Sequence, residues 1–298
     1  MSAFELPQNL VRAAEKDDDA GSARRTWMAD LPLVVDDVAR TWSLEVGRPF
    51  QPGGVTSWVA PARNVAGEHL VLKVGWRHGE ALHEADGLRA WAGGGAVRLI
   101  NSLVVGETSA LLLEACEPGI ALSRALPPQE QDAVVAGLLG RLWIEPPAGH
   151  PFRSLQSMCD WWADEFEEKY AADAQSHRLD RGLLRVGMEL FRSLPGTAER
   201  SVLLCTDLHP ENVLAARREL WLVIDPKPYV GDPTYDPLQH MLNFPDRLIA
   251  NPAVFVQRMA DLLSLDAERL RHWLFARCLQ ESVDHPHLRN AVIALAPS

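Results

Sequence analysis

Apolar residues in the first part of this chain fall in short runs separated by Gly, Pro, Asn and Asp, a pattern that predicts strands at Trp42 to Val46, Thr56 to Val59, His69 to Gly75 and Ala110 to Glu114. A leading helix precedes them, and the last strand runs into the breaker Pro118-Gly119. Gly79 to Ala92 has Leu82, Leu88 and Trp91 at near-helical spacing, and the Gly93-Gly94-Gly95 run stops that helix. From Pro128 onward the apolar spacing lengthens. Helices are predicted at Pro128–Leu142, Phe152–Ala172, Leu179–Leu194, Asp236–Asn243, Pro252–Leu263 and Ala267–Asp284, each bounded by Pro, Gly, Asp or Ser. Two more short strands, Val202 to Leu204 and Leu220 to Ile224, interrupt them. The expected architecture is α+β: a sheet-containing unit over residues 1–116 and a mostly helical unit over 117–298. With 298 residues, 47% of them hydrophobic, the chain can bury two modest cores or one large one.

The chemistry concentrates between Val202 and Asp236. The two predicted strands there deliver Asp207 and Asp225 to strand ends, and Asn212 follows Asp207 by five positions. Hard cations such as Mg²⁺ choose carboxylate and amide oxygens, so Asn212 and Asp225 suit a metal that bridges nucleotide phosphates. A separate carboxylate must orient an acceptor hydroxyl and take its proton, and Asp207 suits that task.

The run NVLAARRELWLVIDPKPYVGDPTYD, with Asp207 upstream of it, resembles the catalytic core of the aminoglycoside phosphotransferase family, within it the streptomycin 6-kinase and hydroxyurea-type resistance kinase group. The resemblance implies a bilobal protein-kinase-like fold, with a small antiparallel-sheet N-lobe and a larger, mostly helical C-lobe. It implies ATP as phosphoryl donor, Asp207 as catalytic base, Asn212 and Asp225 as Mg²⁺ ligands, and IDPKP where protein kinases have their metal-binding motif. One departure stands out: the family usually has His two residues before the base, where this chain has Cys205. The change bears on the geometry of the loop.

A kinase of this kind needs a phosphate-contacting lysine on a strand, and Lys73 is the candidate, with Glu84 as partner and Glu80 as its substitute. Gly53 and Gly54 lie between two strand-like runs, where a phosphate-covering turn belongs, though a Gly-Gly pair also suits an ordinary hairpin. In the family the stretch Glu114 to Cys116 is the interlobe hinge, whose backbone meets the adenine edge. No Walker A pattern and no complete dinucleotide glycine fingerprint occurs, which argues against P-loop and Rossmann folds.

The formal net charge of -11 disfavours nucleic acid and favours a small acceptor bearing a hydroxyl and cationic groups. Acidic and aromatic stretches offer Trp161, Asp164 and Glu165 on one helix and Glu281 on another as acceptor contacts; each also suits a core position or a solvated helix face. Asp236 reads as the N-cap of the next helix, His209 as a brace of the loop, and His285-Pro-His287 as an exposed tail. Four scattered cysteines without metal spacing, no signal-like leader and no run long enough to span a membrane suggest a cytoplasmic protein with reduced thiols. Three functions fit: an ATP-dependent O-phosphotransferase acting on a streptomycin-type aminoglycoside, a kinase of the same mechanism acting on an amino sugar or other sugar, and a nucleotide-binding pseudokinase.

Overall fold

The computed structural model describes residues 4–16, 19–172 and 179–297. Contacts divide the chain into two units, one formed by residues 1–119 with 216–218, the other by 120–215 with 219–298.

The first unit opens with helices α1 (Gln8–Ala14) and α2 (Asp19–Thr41). Strands β1 (Glu45–Val46), β2 (Ser57–Arg63) and β3 (His69–Trp76) follow, then helix α3 (Glu84–Trp91) and strands β4 (Leu99–Val105) and β5 (Thr108–Glu114). The five strands form one antiparallel sheet in the order β1-β2-β3-β5-β4. Alternation decides which face is buried. Trp58, Ala60 and Ala62 of β2 pair with Val74, Leu72 and Leu70 of β3, and this face packs on Trp27, Leu31, Val35 and Val38, spaced along α2 by three or four residues. The intervening positions, including Val59, Val71 and Lys73, turn to the other face. Register fixes the direction of Lys73, since a slip of one residue would drive it into the helical core.

The strand expected from Trp42 begins only at Glu45, because α2 extends to Thr41 and its carbonyls still accept from the Trp42, Ser43 and Leu44 amides. Ser43, at φ +52, ends that helix in the left-handed region. Strand β4 carries exposed apolar residues without clean alternation, so no strand was expected there.

The second unit contains α4 (Leu122–Ala125), α5 (Pro128–Leu142), α6 (Leu155–Ala172) and α7 (Arg181–Ser193). The short strands β6 (Val202–Leu204), β7 (Val213–Ala215), β8 (Trp221–Val223) and β9 (Tyr229–Gly231) come next. Helices α8 (Leu238–Leu242), α9 (Pro245–Ala250), α10 (Pro252–Leu263), α11 (Ala267–Glu281) and α12 (Arg289–Leu295) complete it. The strands form two ribbons, β6 with β9 and β7 with β8. Helix α11 is the hub, with Trp273, Leu274 and Phe275 fully buried, and α7 approaches it so closely that a Cβ on Gly187 would lie 2.1 Å from a Leu279 methyl carbon. His285 and His287 are exposed, but the chain beyond them is no tail: Leu288, Ala291, Val292 and Leu295 are buried, and α12 packs on α11.

A buried carboxylate joins four helices. Asp132 of α5 is fully buried and accepts from His240 Nε2 of α8 at 2.9 Å, from both terminal nitrogens of Arg247 of α9 at 2.8 and 2.7 Å, and from Arg258 Nε of α10 at 2.7 Å. Burial pushes its pKa up, but the bonds from Arg247, His240 and Arg258 outweigh burial and hold it far below the usual carboxylate range.

Candidate active site

In the first unit, Lys73 Nζ donates to both carboxylate oxygens of Glu84, at 2.8 and 2.7 Å. The two side chains are only 12% and 8% exposed, so this is a desolvated ion pair rather than a surface one. Glu84 opens α3, where the helix N-terminus favours a carboxylate. Of the two glutamates considered, Glu84 meets the lysine; the side chain of Glu80 lies outside the described residues.

Gly53 adopts φ +72 at the tip of the β1–β2 connection, and the N-terminal segment explains why glycine stands there. A Cβ at Gly53 would sit 2.5 Å from Pro7 Cβ. The same segment grips the turn through Asn9 Nδ2 on the Gly53 carbonyl at 2.8 Å, the Asn9 amide on the Pro52 carbonyl at 2.9 Å and the Gln8 amide on Gln51 Oε1 at 3.0 Å. Gly54 is less constrained, with Ser57 Oγ 3.4 Å from where its Cβ would be. We predict that Gly53→Ala lowers the melting temperature by about 2–6 °C, since it combines left-handed strain with a clash. An unchanged melting curve would contradict this packing.

Glu114 and Cys116 separate in role. Glu114 is occupied within the unit: its amide donates to the Arg98 carbonyl, and its carboxylate accepts from Arg218 Nε and Nη2 at 2.8 and 3.0 Å. Cys116 lines a cavity of about 530 Å³ together with Val46, Pro61, Val71, Ala115 and Glu117. Burial and the neighbouring Glu114 push its thiol pKa up to about 12, which leaves it protonated at neutral pH.

In the second unit, β6 leads into Cys205-Thr206-Asp207, and a 3₁₀ turn over Pro210–Asn212 brings the chain back. Asn212 Nδ2 donates to the Asp207 carbonyl at 3.0 Å, which fixes the amide plane and leaves the amide oxygen outside that bond. The Asn212 carbonyl accepts from the Ile224 amide at 2.9 Å, which ties Asn212 to the residue preceding Asp225. Asp207 and Asn212 are therefore bonded directly, and Asp225 follows the residue whose amide Asn212 holds. Thr206 and Asp225 both hold φ +52, left-handed values that non-glycine residues adopt at a cost of about 1–3 kcal/mol.

Two residues left without chemistry by the sequence, Lys227 and Asp236, hold this loop. Lys227 Nζ lies 2.8 Å from Asp207 Oδ2, its amide donates to the Cys205 carbonyl at 2.9 Å, and its carbonyl accepts from Thr206 Oγ1 at 2.5 Å. Asp236, fully buried, accepts from the Thr206 amide at 2.7 Å, the Cys205 amide at 3.1 Å and Trp143 Nε1 at 2.9 Å. Asp236 is thus a strut of the loop and not an N-cap; α8 begins after Pro237 and has no side-chain cap. Position alone suggested a cap because Asp236 falls just ahead of that helix. Cys205, which stands where the family has His, is buried and contributes its backbone to the loop.

Burial raises the Asp236 pKa to about 6, against the bonds from Cys205, Trp143 and Thr206. A carboxyl that holds its proton more tightly when folded adds stability below its ordinary pKa near 4 and loses it as pH rises through about 6. We predict that this group costs on the order of 2–3 kcal/mol across that window, at about 1.4 kcal/mol for each tenfold change in proton affinity. Denaturant unfolding at pH 4.5 and 7 should show the slope in the wild type and lose it in Asp236→Asn. Equal slopes would refute the assignment.

The expected acceptor contacts are not brought together as an unpaired acidic wall. Asp164 Oδ1 pairs with Arg192 at 2.7 Å, Glu165 with Lys169 at 3.2 Å, and Glu281 with Arg277. Arg277 is buried and stacks on the Trp162 ring, while Trp161 is 53% exposed. Each carboxylate already has a cation from a neighbouring turn or helix, which composition could not reveal.

His209 is buried enough to hold its pKa below the usual imidazole value, and its Nδ1 has no hydrogen-bond partner. Among the described residues no group of three or more His, Cys, Asp or Glu is arranged to hold a metal, and no helix is long and apolar enough to cross a membrane.

A five-stranded antiparallel sheet with a Lys–Glu pair, and a helical unit with an Asp–Asn–Asp loop assembly, define a protein-kinase-like phosphotransferase. The chain belongs to the aminoglycoside/hydroxyurea antibiotic resistance kinase family, whose pattern matches residues 42–285. It is 34% identical over 304 aligned residues to the streptomycin 6-kinase of Streptomyces griseus, covering 98% of this chain and 94% of the relative. It is 35% identical to a hydroxyurea phosphotransferase of Kitasatospora aureofaciens, covering 94% of this chain and 79% of that one. Among solved structures, an aminoglycoside phosphotransferase of Streptomyces rimosus in complex with ADP and streptomycin shares the fold, with a TM-score of 0.53 and 16% identity over 88% of this chain and 98% of that chain.

Proposed function

We propose that this protein transfers the γ-phosphoryl group of ATP to a hydroxyl of streptomycin, at the 6 position named for its Streptomyces griseus relative. The observation that carries the reading is the pair of bonds by which Asn212 holds the Asp207 carbonyl and the Ile224 amide beside Asp225, since this loop offers one carboxylate for an acceptor proton and two oxygen donors for a cation. Mg²⁺ fits this donor set. It takes oxygen ligands, keeps waters and phosphate oxygens in its remaining positions, and so needs only one or two ligands from the protein. Asn212 and Asp225 would hold it, and when bound it neutralises the phosphate charge. Lys73, braced by Glu84, would hold phosphate oxygens of the nucleotide. The 530 Å³ cavity beside Cys116 would offer a nucleobase apolar contacts from Val46, Pro61 and Val71, with Glu45, Arg63, His69 and Glu117 also on its lining.

Asp207 would accept the proton of the attacking hydroxyl as that oxygen bonds to the γ-phosphorus. A strongly acidic protein draws in a guanidinium-bearing antibiotic at long range even though the acidic helices pair internally. The test is to incubate the purified protein with γ-labelled ATP, Mg²⁺ and, separately, streptomycin, hydroxyurea and simple amino sugars. Label on streptomycin is expected. Label only on a sugar would replace the acceptor, and nucleotide binding without transfer to any of them would favour a pseudokinase.

A further inference from the structure

Asp207 carries a cation that the site's assigned residues do not account for. Lys227 Nζ sits 2.8 Å from Asp207 Oδ2, within charge-assisted hydrogen-bonding distance. Its root is held rigidly. Pro226 and Pro228 flank it, one fixing its own backbone angle and the other excluding helical conformations at Lys227. Backbone bonds to Cys205 and from Thr206 clamp it on both sides, so the lysine belongs to the same strained loop as the base. The Lys227 side chain is 31% exposed, so the pair with Asp207 is not sealed from solvent.

The charge arithmetic explains why a cation is wanted there. A carboxylate that must come within bonding distance of an acceptor oxygen also faces the γ-phosphoryl oxygens, and the two anions repel. Lys73 belongs to the other unit and is paired with Glu84. Lys227 is the lysine that the loop itself presents to the base.

We propose that Lys227 is a catalytic residue whose ammonium bridges Asp207 Oδ2 and the γ-phosphoryl oxygens of bound ATP. The inference rests on the phosphotransferase reading above. In the step, the acceptor oxygen forms a bond to the γ-phosphorus while the bond to the bridging oxygen breaks and its electron pair leaves with ADP. The hydroxyl proton passes to Asp207 Oδ1. Lys227 transfers no proton; it donates hydrogen bonds to oxygens whose charge is redistributed as the phosphoryl group moves, a contribution made most strongly in the transition state.

The test compares the wild type with Lys227→Ala and Lys227→Arg. For Lys227→Ala, turnover is expected to fall by about 10²–10³ with the KM for the acceptor nearly unchanged, and Lys227→Arg is expected to recover part of the loss. Calorimetry supplies a readout independent of turnover: the advantage of a non-hydrolysable ATP analogue over ADP should shrink in Lys227→Ala while ADP affinity and melting temperature hold. Turnover within a factor of two of the wild type overturns the inference and leaves the phosphotransferase reading standing. Equal loss of ADP and ATP-analogue affinity, together with a lowered melting temperature, overturns it in favour of a structural role. A wild type that transfers phosphate to no acceptor overturns both.

Discussion

Asp207→Asn is expected to reduce turnover by roughly two to four orders of magnitude while leaving nucleotide affinity close to that of the wild type. The amide keeps the size of the carboxylate but cannot take a proton from an acceptor hydroxyl, and it no longer forms an ion pair with Lys227. The loop should survive the change, because its geometry comes from elsewhere. Asp236 holds the Cys205 and Thr206 amides, and Asn212 is anchored to the Asp207 backbone carbonyl rather than to its side chain. Steady-state rates with ATP varied at saturating acceptor would separate the two effects. A rate within a factor of two of the wild type would remove Asp207 from the role of base.

The second large effect concerns the helical unit. Asp132→Ala is expected to cost about 3–5 kcal/mol of stability, because it strands Arg247 and Arg258 around an emptied, buried position and removes the partner of His240. Burial holds His240 below its usual pKa despite the neighbouring carboxylate, so its Nε2 donates to Asp132 as a neutral ring. A carboxyl whose pKa is depressed by folding contributes stability that is present above its ordinary value near 4 and is lost as pH falls toward the depressed value. The gap between wild type and Asp132→Ala should therefore be widest at neutral pH and narrow under acid. Urea unfolding monitored by circular dichroism at pH 7 and pH 3 would measure both. A gap that stays below about 1 kcal/mol at pH 7 would show that the four-helix junction does not depend on this carboxylate.

Local chemistry made parts of this molecule legible before its structure. Pro128 and Pro252 open helices at their first turns, and the apolar spacing beyond each carried the prediction to the correct last residues, Leu142 and Leu263. The run His69 to Gly75 placed Lys73 on a strand, while its choice as a phosphate contact came from the family resemblance, because a solvated strand lysine has the same spacing. Asp207, Asn212 and Asp225 stood out through their spacing and oxygen chemistry; in the structure Asn212 bonds the Asp207 carbonyl and the amide of Ile224, the residue before Asp225.

What escaped was set by contacts distant in sequence. Asp236 contacts residues about 30 positions earlier and Trp143 some 93 positions away, and nothing near it announces either. Asp164 and Glu281 looked like open acidic surface until Arg192 and Arg277 were placed beside them. Gly53 suggested a phosphate turn, while the clash that a side chain would create there is with Pro7. Lys227 stood in full view between two prolines. Its signal was a cation two residues after a metal-ligand candidate, legible only once the strand pairing folded it back onto Asp207.

In the proposed mechanism Asn212 and Asp225 would grip a divalent cation under the phosphates of a nucleotide, beside the carboxylate of Asp207. Calorimetric titration of ATP into wild type and Asp225→Ala, each with and without Mg²⁺, tests it directly. Mg²⁺-dependent binding is expected for the wild type and none for the variant at the same concentrations, with both proteins equally folded. Equal Mg²⁺-dependent affinity in the two proteins would contradict it.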